Sequence, residues 1–410
     1  MSKHTVGVVG MGYVGLPTAL SLLDHGAEVI GYDVCEGRLA DIKADRVDLL
    51  PRDHARLTHH LGHGSLALTT ESRALAGADA ILICVPTPID AHQSPDLTAL
   101  RSACATVVSN ARSGQTVVLT STTYVGCTRQ LLVIPLAERG LVAGQNIFVA
   151  FAPERIDPGV ADHLPEATPR VLGGVTPKCT RRAMKVLRCT AGAIHPVSGP
   201  EVAEMTKVLE NTYRAVNIAL INEFAGAATE LGVNVIEVIE AAATKPYGYT
   251  PFFPGPGVGG HCIPCDPHYL LWQLRARRVD MPLISTAMTA IALRPREVVA
   301  QARALLAEHG TPTKDAEVLV VGVAYKPGVA DVRESPALEI INELLDADAL
   351  VSFTDPIVEQ VLTSDGTLTA HPAPERGMWD LVILIHPDGR DYNGSPVLDT
   401  TYRRSLRQLT

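Results

Sequence analysis

The 410-residue sequence holds no apolar run of about 18 residues, the length a transmembrane helix needs, so none is expected. Residues 1–5 lead straight into a strand and leave no room for a signal peptide, which points to a cytoplasmic protein. No block of Lys and Arg exceeds two or three residues, and the net charge of −9 argues against nucleic acid as a partner. Low-complexity tails are absent. The eight cysteines, at 35, 84, 104, 127, 179, 189, 262 and 265, lie mostly inside apolar runs, as reduced buried thiols do, and do not read as a disulfide framework. The one Cys-x-x-Cys, Cys262 with Cys265, has no second such pair to complete a four-ligand zinc site, so no metal is expected. A thioredoxin-like pair would open a helix of a small βαβ domain, whereas this one follows a Gly/Pro loop. A regulatory Cys262–Cys265 disulfide stays open.

What is present is long enough for two or three cores. Strand and helix signals alternate through the first third: a strand over 5–9, a helix over 13–25, a strand over 28–32, then buried strands over 80–85, 116–120 and 146–150. That order implies a parallel, doubly wound sheet with ligands at the carboxyl ends of its strands. Gly10, Gly12 and Gly15, with Tyr13 and Val14 among them, stand between the first strand and helix. Glycine there permits a tight turn and close approach of a pyrophosphate to the helix N-terminus. Asp33, closing the second strand, would accept from a ribose diol and repel a 2′-phosphate, favouring NAD over NADP. Arg38 lies over the adenosine ribose or is a solvated helix residue. Thr87 and Thr122 each follow a buried strand at the cofactor edge, where they touch a ribose or a catalytic water, or serve ordinary turns. Glu154 and Arg155 follow a further strand; Glu154 is a candidate base or water-positioning group, or half of a surface ion pair.

Over 199–232 the period becomes 3.6, and Met205, Val208, Leu209, Thr212, Val216, Ala219, Leu220 and Phe224 form one stripe of a long helix. Lys207, Asn211 and Arg214 share a line opposite that stripe. They are a solvated face, or else Lys207 and Asn211 meet a developing oxyanion. Further helical pattern follows from 234 and over 281–293, and Pro295 interrupts it. Between these helices Gly255, Gly257, Gly259 and Gly260 lead to His261 and Cys262, with Asp266 four residues on. Glycines let backbone close around a bulky ligand while a thiol faces it. A nicotinamide site together with a nucleophilic cysteine suggests oxidation through an aldehyde to a carboxylate.

The last third repeats the first in outline. A strand over 317–322 ends in glycine, a helix covers 335–345, residues 349–355 echo 27–33 in ending on an aspartate, and another buried strand covers 379–385. The spacing after Gly322 lacks the dinucleotide pattern, so this unit suits a different nucleotide. The expected fold is α/β: two Rossmann-like, doubly wound parallel-sheet domains (residues 1–198 and 296–410) joined by a central helical segment (199–295) with one long helix.

Gly10–Gly15, Val85–Pro88, Ser121–Thr123, Pro153-Glu154-Arg155, the Glu204 to Asn211 segment, Gly259-Gly260-His261-Cys262 and the Tyr325 to Pro336 segment together resemble the UDP-glucose/GDP-mannose dehydrogenase family over essentially the whole chain. The resemblance implies an NAD-binding domain, a central dimerisation segment giving a homodimer, and a nucleotide-sugar-binding domain. Within the family, residues 242–264 are most similar to the bacterial branch that oxidises UDP-N-acetylhexosamines, the N-acetyl-D-glucosamine enzymes in particular. His261 and Cys265 stand where the UDP-glucose enzymes carry Ser and Lys. The implied reaction is a four-electron oxidation at C6 with two NAD per sugar. Lys207 and Asn211 stabilise the oxyanions, and Cys262 holds the aldehyde as a thiohemiacetal, then a thioester. Glu154, Thr122 and Asp266 orient the hydrolytic water. Arg155, Arg214, Tyr247, Phe253, Gly257, Gly259 and Lys326 join Glu154, Lys207 and Asn211 around the sugar nucleotide, and Arg333 reaches the cofactor. Alternative substrates are UDP-N-acetyl-D-mannosamine and UDP-glucose. Alternative classes are a single-oxidation hydroxyacid dehydrogenase and a non-catalytic regulator that binds NAD or a nucleotide sugar.

Overall fold

The computed structural model of the chain describes residues 4–47, 49, 51–90, 92–155, 168–188, 190–260 and 263–403. His261 and Cys262, with Cys189, lie outside the described residues. The chain divides into two compact units, Met1–Glu210 with His268–Arg277, and Asn211–Pro267 with Arg278–Thr410.

The first unit is built on one eight-stranded sheet. Its strands are β1 (Thr5–Val9), β2 (Glu28–Tyr32), β3 (Leu66–Thr69), β4 (Ala80–Ile83), β5 (Thr116–Leu119), β6 (Phe148–Phe151), β7 (Arg170–Gly174) and β8 (Ile194–Val197), in the order β3-β2-β1-β4-β5-β6-β7-β8. Central strands are apolar on both faces because helices cover both. Val9, Ile81, Ile83, Val117, Leu119 and Phe151 feed one core, while Val8, Leu82, Val118, Ala150 and Leu172 feed the other. The order reverses between β1 and β4, which opens the crevice where doubly wound folds bind nucleotides. All pairings are parallel except one. β7 runs antiparallel to β6, with Phe151 opposite Gly173, so Arg170 at the start of β7 lies at the sheet's carboxyl edge.

The second unit carries a parallel four-stranded sheet of order β10-β9-β13-β14, formed by β9 (Glu317–Val321), β10 (Leu350–Thr354), β13 (Leu381–Leu384) and β14 (Val397–Asp399). A hairpin of β11 (Gln360–Thr363) and β12 (Gly366–Thr369) stands apart. Ser335 caps the helix Pro336–Leu345, its Oγ accepting the N–H of Ala337 at 3.3 Å. That helix packs with Pro282–Glu308 over the sheet through Val298, Ala302, Ile340, Ile341 and Leu344. Gly322 after β9 repeats the geometry of Gly10 after β1. Their φ values are +87° and +89°, and their N–H groups bond to Thr354 and Tyr32 at 2.8 and 2.9 Å.

Two expectations need correction. Pro295 does not end a helix; Pro282–Glu308 passes through it unbroken. Proline removes one backbone bond and crowds the preceding turn, but tertiary packing overrides this, for Pro295 is buried and lies under Gly257. The long helix Pro200–Glu230 also differs from its sequence pattern. Lys207 and Asn211 are buried (8% and 3% exposed), whereas Leu209 and Phe224 of the apolar stripe are 63% and 56% exposed. Of the polar line, Arg214 alone is exposed. Periodicity finds a stripe but not the side on which the protein lies. No helix among the described residues is long and apolar enough to cross a membrane.

Candidate active site

The glycine turn after β1 is shaped for a dinucleotide. A Cβ on Gly15 would sit 1.8 Å from the Gly10 carbonyl oxygen, and one on Gly10 would sit 2.8 Å from that of Cys84. Gly12 has open space at its Cβ position, and Val14 gives the helix Gly15–Asp24 no side-chain cap, so no side chain closes the positive end of the helix to an anion. Asp33 bridges turn and strand: Oδ2 accepts from Met11 N–H at 2.8 Å and Oδ1 from Cys35 N–H at 2.9 Å. Two of a carboxylate's four acceptor positions remain for a ribose diol. Arg38 is not merely solvated; its Nε donates to the Met11 carbonyl at 2.8 Å and ties its helix to the turn. Tyr13 is exposed, as a residue flanking a cofactor groove must be. These residues fit NAD, whose nicotinamide when bound supplies a hydride acceptor.

Two threonines after β4 and β5 fall at the same edge. Thr87 is buried and its carbonyl accepts from Tyr269 Oη at 3.1 Å; Thr122 is half-buried. The segment holding Thr122 is braced by residues that the sequence reading passed over. Glu204 on the long helix accepts from Gly126 N–H (2.6 Å), Thr128 N–H (2.9 Å) and Thr128 Oγ1 (2.7 Å). Burial pushes its carboxyl above the ordinary range despite those donors. Gln273 clamps Val125 from the other side, accepting its N–H at 3.1 Å and donating to its carbonyl at 2.7 Å. An acid three positions before Lys207, on the same face of the helix, was the available signal.

Glu154 follows β6, and its side chain is 16% exposed. Its Oε2 stands 3.2 Å from Nη2 of Arg170, another residue not singled out from sequence. Arg155 turns away: its guanidinium bonds to Glu210 and to the Pro169 carbonyl, which makes it a brace between strand and long helix.

In the second unit Asn211 and Asp266 meet. Nδ2 of Asn211 donates to Oδ2 of Asp266, and both are at least nine-tenths buried. The glycine loop runs beside the 325–336 segment. A Cβ on Gly259 would lie 2.6 Å from the Glu334 carbonyl oxygen and 2.7 Å from Tyr325 Cβ; one on Gly260 would lie 2.8 Å from the Tyr325 ring. Gly260 N–H bonds to the Arg333 carbonyl at 3.1 Å, and Gly257, at φ +148°, fits against Pro336. Upstream, Asn222 accepts Gly255 N–H at 2.9 Å and buried Arg294 donates to the Gly255 carbonyl at 3.0 Å. The loop leading to Cys262 is therefore fixed by the same segment that carries Lys326 and Arg333. Arg333 is exposed and pairs with buried Asp331 (Nη2–Oδ2 2.6 Å); Lys326 is half-buried. Tyr247 and Phe253 are exposed, each with a cation over its ring, Lys245 at 5.2 Å and Arg403 at 5.2 Å. Cys265 is buried.

Three family models match the chain: the NAD binding domain of the UDP-glucose/GDP-mannose dehydrogenase family over residues 4–190, its central domain over 201–290 and its UDP binding domain over 319–386. A UDP-N-acetyl-D-glucosamine 6-dehydrogenase of Pseudomonas aeruginosa is 34% identical over 390 residues, covering 94% of this chain and 90% of that one. A UDP-N-acetyl-D-mannosamine dehydrogenase of Pyrococcus horikoshii is 35% identical over 416 residues, covering 97% and 98%. The solved structure of a UDP-glucose dehydrogenase from Pyrobaculum islandicum superposes with a TM-score of 0.88 at 27% identity, covering 99% of this chain and 96% of that one.

Proposed function

This chain belongs to the UDP-glucose/GDP-mannose dehydrogenase family and is an NAD-dependent nucleotide-sugar dehydrogenase; from that premise we propose that it oxidises the C6 hydroxyl of UDP-N-acetyl-D-glucosamine to the carboxylate of the uronic acid. The observation that carries this reading is the packing of the glycine loop before Cys262 against Tyr325, Glu334 and Pro336, with the Asn211–Asp266 pair buried in the same unit. The glycine loop, Asn211 and Asp266 thus belong to the same unit as the segment that carries Lys326 and Arg333.

Each oxidation removes one hydride from C6 and one proton from the hydroxyl on it, and water supplies the second carboxyl oxygen. Lys207 and Asn211, one turn apart on the long helix, stabilise negative charge on the C6 oxygen. Cys262 Sγ adds to the aldehyde carbon, so the half-oxidised sugar stays bound; after the second oxidation the same sulfur leaves as thiolate when water attacks. Glu154, with Thr122, orients that water, and Asp266 steadies Asn211.

The exposed apolar line Val202, Met205, Leu209, Tyr213, Leu220 and Phe224 on the long helix supports a homodimer that covers it, since an apolar strip of that length is unusual on a monomer. UDP-N-acetyl-D-mannosamine is the second substrate reading, favoured by a relative of similar identity over nearly the whole chain.

A panel of UDP-N-acetyl-D-glucosamine, UDP-N-acetyl-D-mannosamine and UDP-glucose with NAD tests the proposal. The expected result is the highest kcat/KM for the first, with two NADH released per uronic acid weighed by mass spectrometry. A stoichiometry of one NADH, or a better rate with another sugar, would overturn the corresponding part. Cys262→Ser should make no uronic acid.

A further inference from the structure

We propose that Arg170 is a positioning residue for hydrolysis of the sulfur-bound acyl sugar, holding the Glu154 carboxylate at the carboxyl edge of the sheet and supplying the positive charge it faces. The inference rests on the role given to Glu154 above.

Chain direction places the arginine. Had β7 followed the parallel rule of its neighbours, its first residue would lie at the amino edge, away from any ligand. Antiparallel pairing with β6 brings Arg170 beside the segment that leaves β6 and carries Glu154. Arg170 is 2% exposed, and its guanidinium is held on several sides. Nη2 donates to the Ala152 carbonyl at 3.1 Å and faces Glu154 Oε2 at 3.2 Å, while Nη1 donates to Thr190 Oγ1 at 3.3 Å. Its Nε is buried without a hydrogen-bond partner among the described residues. A fork so fixed cannot swing, so Glu154 is pinned at Oε2 by Arg170 and at Oε1 by the Arg155 N–H at 2.9 Å.

The other charged and titratable groups nearby do not duplicate that function. The Arg155 guanidinium is engaged by Glu210 of the long helix and by the Pro169 carbonyl. Cys84, after β4, bonds to Thr120 Oγ1 at 3.1 Å, and burial pushes its thiol up to about 11, so it stays neutral beside Glu154 and Arg170. Among the described residues, Arg170 is thus the buried cation paired with the Glu154 carboxylate. An ion pair of this kind, once broken, leaves an uncompensated charge in a poorly solvated place.

Arg170→Gln keeps hydrogen-bonding capacity without charge, and Arg170→Lys keeps charge without the fork. Intact-mass analysis during turnover, together with pH–rate profiles, tests the inference. In Arg170→Gln, kcat for uronic acid should fall about tenfold or more, the loss expected when a positioned water-activating group is disturbed. KM for the sugar nucleotide should stay within about threefold, an acyl adduct on Cys262 should accumulate, and the acidic limb of the rate profile should move to higher pH. Arg170→Lys should restore the wild-type limb, and Arg170→Gln added to Glu154→Gln should cost little more. A wild-type profile without adduct in Arg170→Gln, with Glu154→Gln impaired, would overturn the positioning role alone. A wild-type rate in Glu154→Gln would remove the underlying reading and this inference with it. If Arg170→Gln does not fold, Arg170→Lys decides: an unshifted limb with slower uronic acid release and an accumulating adduct supports the inference, and a wild-type rate without adduct would overturn it.

Discussion

The Asn211 side chain donates through Nδ2 to Oδ2 of Asp266, and water is excluded from both. An amide hydrogen so placed stabilises a buried carboxylate, and removing it takes one donor from that group. Asn211→Leu should lower stability by about 1.5–3 kcal/mol, read by urea unfolding at neutral pH. Asn211→Leu combined with Asp266→Leu should cost less than the sum of the two single losses, because both remove the same hydrogen bond. Strict additivity of the two single losses would show the pair to be uncoupled.

Asp33 supports the turn through Met11 N–H and has acceptor capacity left for a ribose. Asp33→Ala should raise KM for NAD by about 10- to 100-fold, corresponding to one or two hydrogen bonds to a charged acceptor. Preference for NAD over NADP should narrow at the same time, because the charge that repels a 2′-phosphate is gone. Steady-state kinetics with both coenzymes checks this; an unchanged KM for NAD would place the ribose elsewhere.

Two glycines should respond in opposite ways. At Gly259 a methyl group meets the Glu334 carbonyl oxygen at 2.6 Å, a backbone atom that cannot step aside cheaply. Gly259→Ala should displace the loop and abolish uronic acid formation while NADH still binds, as followed by fluorescence titration. Gly226 lies inside the long helix with open space around it, so Gly226→Ala should stabilise the protein by up to about 1 kcal/mol. Thermal melts of the two variants should shift in opposite directions.

Stability should also depend on His268. Burial, with a smaller contribution from Arg275, holds its imidazole below the usual histidine range. Over the window below about pH 6.5 the unfolded chain binds a proton that the folded one refuses. The contribution of His268 is therefore complete above that pH and is lost as the pH falls toward the folded-state value. His268→Gln should flatten the decline in melting temperature between about pH 7 and pH 5. A parallel decline in variant and wild type would exclude the histidine as its source.

Much of the first unit was legible from residue pattern alone. β1 and β2 fall on the residues expected, because apolar runs bounded by Gly10 and Asp33 leave little freedom. The structure placed other features where pattern has no voice. The direction of β7, and with it the position of Arg170, depends on pairing with β6, which no local signal encodes. Lys207 and Asn211 carry ordinary solvated-face chemistry at helical spacing, and only the fold shows them buried. Pro295 reads as a stop because its rule is local, whereas its packing under Gly257 is not. Glu204 and Gln273 matter through backbone groups of residues 125–128, which are remote in sequence.

The twin corners at Gly10 and Gly322 end differently. Although burial pushes the other way, the N–H groups of Val323, Ile357, Val358 and Ala324 hold the Asp355 carboxyl below the usual carboxylate range. Those four donors use up its oxygens, so hydroxyls of an arriving sugar would find a saturated acceptor there. Of two knuckles cast alike within one polypeptide, the first stays open to a visitor and the second has become a strut. The coenzyme thus has one berth, and whatever docks on the later sheet must be gripped by other means.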